Sequence, residues 1–154
     1  MSARSSRIVH SEIPPELKAL SSFHGHLGPY VVVGYRMGLF ARSELKGKMK
    51  ATVYTGLRPP VSCIVDGIQF SSGCTLGKGN IQVLDGNMAR VVFTSEDEEM
   101  VMDLRTTVRN DIESQMTKET EEHLAMSIFR AHMNDLFDIR RAKKANAQRS
   151  MTSQ

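Results

Sequence analysis

The apolar positions of this chain change period several times, and each change marks an element. Pro14 and Pro15 precede a short helix predicted over 16–23, because proline suits a first helical turn. From Pro29 onward Val31, Val32, Tyr35, Met37, Leu39 and Leu45 form a helical stripe that ends near Gly47. Arg36, Arg42, Glu44 and Lys46 lie mostly off that stripe, whereas Gly34 and Gly38 lie on it, four apart. Small residues at that spacing predict close packing against another element. Residues 48–55 then alternate, Met49, Ala51 and Val53 against Lys50, Thr52 and Tyr54, which predicts a strand. Ile64, Val65, Ile68 and Phe70 return to a helical period. Residues 81–84 and 89–94 read as two further strands, with D-G-N between them as a hairpin signal. Met100, Met102 and Leu104 alternate with Val101, Asp103 and Arg105, predicting a fourth strand with a helix as the alternative. Beyond Thr107 the period is helical again through Ile112, Met116, Leu124, Ile128 and Phe129. Leu136, Phe137 and Ile139 make a last apolar patch.

This order predicts an α+β fold, α-α-β-α-β-β-β followed by a C-terminal helix, with the helices packed on one mixed or antiparallel sheet. The 154 residues suit a single domain with its own core. Its apolar fraction of 40% and charged fraction of 24% are ordinary for a soluble protein. No apolar run approaches the roughly 20 residues of a membrane span. The first ten residues lack the apolar segment of a secretory signal, and there are only two cysteines, Cys63 and Cys74. A reducing compartment, the cytoplasm, is therefore expected, without a structural disulfide. The net charge of +3 is uneven: Arg140, Arg141, Lys143, Lys144 and Arg149 follow one another without an acid, and the rest of the chain carries −2. Such a tail can touch nucleic acid, but one rich in Ala, Gln and Ser is more often a solvated terminus. The expected organisation is one domain over 1–141, its core over about 14–141, and a basic flexible tail over 142–154.

Candidate chemistry concentrates in two places. In F-H-G-H-L-G-P-Y, Gly25 separates His24 from His26 and disfavours a helix, so two imidazoles spaced i, i+2 can face one side. Imidazole is a common metal ligand, and equally a cap or hydrogen-bonding partner of the helix that follows. In the stretch over 62–81, Cys63 and Asp66 share one helix face, with Phe70 and Cys74 one and two turns further along. Gly67 keeps that face shallow. The helix start would lower a thiol's pKa and favour the thiolate, while a buried pair of thiols would be inert core. Thiolate, imidazole and carboxylate together suit zinc or another divalent transition metal. His24, His26 and Cys63 are the first-choice ligands, with Cys74 and Asp66 next. G-C-T-L-G-K-G is not a P-loop, because only three residues separate Gly73 from Gly77 and Gly79 follows Lys78. Lys78 remains a candidate anion anchor.

Taken together, F-H-G-H-L-x-P, G-Y-R-M-G, C-I-V-D-G-I-Q, G-C-T-L-G-K-G-N and L-F-D-I-R resemble the FmdE family of formylmethanofuran dehydrogenase components, over about 20–141. The resemblance implies a topology like the glyceraldehyde-3-phosphate dehydrogenase catalytic domain, and often a homodimer. It also implies a metal-associated pocket carrying His24, His26, Cys63, Asp66, Cys74 and Lys78, and association with a molybdenum or tungsten oxidoreductase complex. Two departures stand out. The family motif reads H-G-H-x-C-P, and here Gly28 stands in place of that cysteine. The carboxy-terminal zinc ribbon of longer members has no counterpart. Three readings follow. One is a metal-binding protein of one-carbon or formyl metabolism, with Cys63, Asp66 and Lys78 as the catalytic candidates. The others are a non-catalytic accessory protein, and a metal-free enzyme using Cys63.

Overall fold

A computed structural model describes residues 13–144 of the chain. Helices α1 (Pro15–His24) and α2 (Pro29–Glu44) come first, each with proline in its first turn. Strand β1 (Lys50–Val53) and helix α3 (Cys63–Ser72) follow, then strands β2 (Ile81–Val83), β3 (Arg90–Thr94) and β4 (Glu98–Leu104). Helices α4 (Thr106–Gln115), α5 (Glu121–Arg130) and α6 (Met133–Leu136) lead into a closing strand, β5 (Phe137–Lys143). The result is the expected α+β fold: among the described residues, six helices pack with one five-stranded mixed sheet of order β2-β1-β3-β4-β5.

Helix α2 is the centre of the molecule. Pro29 through Tyr35, Met37, Gly38 and Ala41 are all buried, so this helix is apolar on nearly every side rather than on one stripe. It packs on α3, α5 and β4. Its crossing with α3 is a backbone contact. A side chain at Gly34 would collide with the Ile64 carbonyl, and one at Gly67 with the Val31 carbonyl and the Tyr35 amide nitrogen. Gly38 abuts Ser71 and Ser72 in the same way. The one charged side chain in the middle of α2, Arg36, is spent on the end of α5. Its Nη1 lies 2.8 Å from each of the carbonyl oxygens of Ile128, Phe129 and Ala131. Those carbonyls have no partner inside their own helix, and a cation is the group the C-terminal dipole favours.

Two expectations about the sheet change. The D-G-N turn is present, but β2 and β3 do not pair with each other. Strand β1 runs between them, parallel to β2 (Ala51 opposite Ile81) and antiparallel to β3 (Val53 opposite Val91). The turn instead wraps the end of β1: Gly56 donates to the Leu84 carbonyl, Met88 donates to Tyr54, and Tyr54 donates to Arg90. Asn87 takes the left-handed conformation that the wrap needs. A hairpin signal reports the turn and not the partner.

The helices expected beyond Thr107 are present, but the last described element, after them, is a strand. Strand β5 pairs antiparallel with β4, Phe137 and Ile139 facing inward and the following residues exposed. Its charges suit an unpaired sheet edge. Arg141, assigned from sequence to the basic run, chelates Glu98 at 2.6 and 2.9 Å and reaches Glu44 at 2.7 Å. Strand β5 runs to Lys143, and the tail expected over 142–154 lies, from 145 on, outside the described residues. Strand β4 keeps Met100, Met102 and Leu104 buried, in the predicted alternation.

The close crossing makes a sharp prediction. Gly67→Ala should destabilise the fold by about 2 kcal/mol or more, because its methyl meets backbone that cannot rotate away. Gly77→Ala, where a methyl meets open space, should be close to neutral. Urea midpoints of the two variants measure the difference.

Candidate functional site

Gly25 is what makes the two histidines neighbours. It caps α1 in the left-handed conformation, with φ of 109°, and donates to the Ser21 carbonyl at 2.7 Å. His24 is therefore the last residue of a helix and not part of an extended segment. The chain reverses after it, and the rings of His24 and His26 lie 4.8 Å apart between centroids. Three residues after His26, Pro29 starts α2, so the H-G-H turn is pinned at both ends.

The crossing of α2 and α3 then delivers the first turn of α3 to this point. Asp66 Oδ2 sits 2.6 Å from His24 Nδ1. With Nδ1–H donating to the carboxylate, Nε2 carries the lone pair, the tautomer of a metal-binding imidazole. That Nε2 is buried and has no hydrogen-bond partner among the described residues. The His24 side chain is only 9% exposed, so water does not readily satisfy it. His24, His26 and Cys63 each offer a donor atom within 4.8 Å of the other two. Tetrahedral zinc needs donors roughly 3.3–3.8 Å apart, so small side-chain rotations close the set.

A fourth group stands beside them. Glu121, in the first turn of α5, places Oε2 3.5 Å from His26 Nδ1. A side chain at Gly28 would meet His26 and Glu121 at 3.4 to 3.7 Å, so position 28 faces the same space. A cavity of about 130 Å³ adjoins this group, walled by Pro29, Tyr30, Pro59, Pro60 and Met116. Burial, with Glu113 adding to it, pushes the Tyr30 phenol up to about 12, so its hydroxyl stays a proton donor.

The Cys63 thiol departs from expectation. Burial pushes it above its ordinary value, and the Asp66 and Glu121 carboxylates add to that push. The helix start does not make it a thiolate, because desolvation and two acids outweigh the first-turn amides. Two other candidates are elsewhere. Cys74 follows the far end of α3, roughly 16 Å along the helix from Cys63. It is buried, and its thiol donates to the Met49 carbonyl at 3.5 Å. Lys78 lines a second cavity together with Cys74 and does not reach the histidines' cavity. A helix brings together what its first turn carries, and eleven residues exceed that reach.

Sequence reasoning missed Glu121, Tyr30 and Met116. Glu121 lies among the polar positions of the helical stretch beyond Thr107, and nothing local ties it to a histidine 95 positions earlier.

Three comparisons with known proteins bear on this chain. The family model described as "FmdE, Molybdenum formylmethanofuran dehydrogenase operon" matches residues 23–151. A curated protein of Archaeoglobus fulgidus, named a probable S-adenosyl-L-methionine-binding protein, is 31% identical over 93 residues, 56% of this chain. The match spans only 25% of that relative's length. A solved FmdE-like protein of tungsten formylmethanofuran dehydrogenase type, from Syntrophus aciditrophicus, superposes with a TM-score of 0.62 at 20% identity. The superposition covers 82% of this chain and 70% of that one, and it speaks to the fold.

The raised thiol predicts the pH dependence of its reactivity. In metal-free protein, alkylation of Cys63 should be slow at neutral pH and should accelerate only above the usual thiol range. Asp66→Asn and Glu121→Gln should each bring the onset to lower pH. Rates of iodoacetamide labelling against pH, with Cys74→Ser as background, test the sign.

Proposed function

The chain belongs to the FmdE family, and on that premise we propose that it holds a divalent transition metal, zinc or one of similar preference, on His24, His26 and Cys63. The observation that carries the reading is the buried His24 Nε2, left without a partner while Nδ1 is held by Asp66. A buried polar atom of this kind costs about 1–3 kcal/mol unless something meets it. The nearest groups are a second imidazole and a thiol, a borderline-soft set that suits zinc. Asp66 acts through His24, setting its tautomer and ring orientation. Glu121 is the carboxylate at hand for the remaining position, or for moving a proton at the cavity mouth.

When bound, the metal supplies a Lewis acid that polarises a carbonyl oxygen. The chain's own residues set what can approach it. Clefts for drug-sized ligands run to about 300 Å³ and above, so a cavity of 130 Å³ admits a molecule of a few heavy atoms, such as a one-carbon or small carbonyl compound. Tyr30 donates one hydrogen bond to Glu113 at 3.5 Å, and Pro29, Pro59 and Pro60 line the cavity with apolar surface. The role we assign is that of a metal-binding accessory protein of formyl or one-carbon metabolism, working as a homodimer or beside a molybdenum or tungsten oxidoreductase. The metal-free cysteine enzyme is the poorer reading, since the site holds its thiol protonated.

Zinc titration of tag-free protein tests the ligands. The wild-type chain should retain about one equivalent. His24→Ala, His26→Ala and Cys63→Ser should lose it while keeping the far-ultraviolet spectrum, and Cys74→Ser should keep it. Asp66→Asn should weaken affinity by about 10–100-fold. Retention unchanged in the His24 and Cys63 variants would overturn the assignment. Gly28→Cys should tighten zinc at least about tenfold, because its thiol enters the space between His26 and Glu121.

A further inference from the structure

The other end of α3 carries a site of a different kind. A cavity of about 670 Å³ opens where the last turn of α2, the start of β1 and the 73–80 turn meet. Arg42, Lys48, Lys50 and Lys78 line it, from three segments of the chain, and no acid does. None of these four cations makes an ion pair or a side-chain hydrogen bond with a described residue. The acid nearest in sequence, Glu44, is turned away onto Arg141 at 2.7 Å. A net charge of +3 for the whole chain thus includes four uncompensated positive charges around one hollow.

The hollow is also fixed in shape. Gly47, Gly73 and Gly79 hold left-handed conformations at its bends. Thr75 N donates to Asn80 Oδ1 at 2.8 Å, Leu76 N donates to Gln69 Oε1 at 2.9 Å, and Asn80 Nδ2 donates to the Met49 carbonyl at 3.3 Å. Lys78 N and Gly79 N donate within the same turn. The amides of Cys74, Thr75, Leu76, Lys78 and Gly79 are therefore engaged within the turn or by the adjoining helix. What the hollow chiefly presents to a ligand is its side-chain charges. The Lys78 ammonium is folded inward, 3.5 Å from where a Gly73 methyl would stand.

From these observations we infer that this cavity binds a small molecule carrying two or more linked phosphates. Four cations match the three to four negative charges of a pyrophosphate unit, and the volume lies within the range of about 300–1,000 Å³ usual for ligand sites. Arg42 supplies a planar fork for two phosphate oxygens, and the three lysines supply point charges. The site lies at the opposite end of α3 from His24, so it stands whether or not a metal binds there.

Calorimetry of the full chain with inorganic pyrophosphate at low salt tests this. Wild-type protein should bind one equivalent and should prefer pyrophosphate to sulfate by at least about tenfold, since it presents more charge to the same cluster. Arg42→Ala and Lys78→Gln, both at exposed positions that leave the fold intact, should each weaken binding at least about tenfold. Lys118→Ala, an exposed lysine outside the cavity, should change it less than about twofold. Raising the salt should weaken binding in wild type more than in either variant. Absence of binding, equal affinity for sulfate, or an equal loss in Lys118→Ala would each overturn the inference. If the cations serve only the two helix ends that finish here, Arg42→Ala and Lys78→Gln lower the melting temperature and leave pyrophosphate binding unchanged, which also overturns it.

Discussion

The contact of α2 with α3 at Gly34 and Gly67 is the constraint from which the rest follows. Two helices whose backbones touch have no side-chain layer between them to slide, so their relative position is set by main-chain geometry. The H-G-H turn is joined directly to the start of α2, and Cys63 and Asp66 are the first turn of α3. Fixing one helix against the other therefore fixes imidazole against thiol and carboxylate. The same contact carries the far ends of both helices to the cationic cavity. One crossing thus places two chemically distinct groups of side chains at opposite ends of α3.

The two ends differ in how they treat charge. Around His24 the protein withdraws polar atoms from water, pairs one of them tightly and leaves another bare. Burial and the acids Asp66 and Glu121 act in the same direction on Cys63, keeping its proton in place until a stronger competitor arrives. Around Lys78 nothing charged is withdrawn, and like charges are held near one another by turns whose own polar groups are already satisfied. The first arrangement suits an ion held by inner donors. The second suits an anion that arrives with its own charge.

Glu121 shows how distant parts of the chain are drawn into the site. It sits at the start of α5, and α5 is held at its other end by the guanidinium of Arg36, on the central helix. The group that anchors the helix and the group the helix presents are 85 residues apart in sequence. Neither is recognisable from its own neighbourhood. In place of the thiol that the family motif carries at position 28, this chain has a glycine and, across the same space, a carboxylate.

The amino-acid sequence alone determined the elements whose signal is local. The period of Met100, Met102 and Leu104, the prolines at the starts of α1 and α2, and the glycines at 34, 38 and 67 are each read within a few residues, as are the two histidines and the first-turn cysteine. Their chemistry is legible because residue type and spacing within one turn decide which side chains share a face. What only the tertiary structure decided is everything that depends on a partner far along the chain. The insertion of β1 between β2 and β3, the use of 137–143 as an edge strand, the separation of Cys74 and Lys78 from the histidines and the arrival of Glu121 are all of this kind. These are outcomes of long-range burial and pairing, in which many partners compete for each apolar face, and no local pattern carries the identity of the winner.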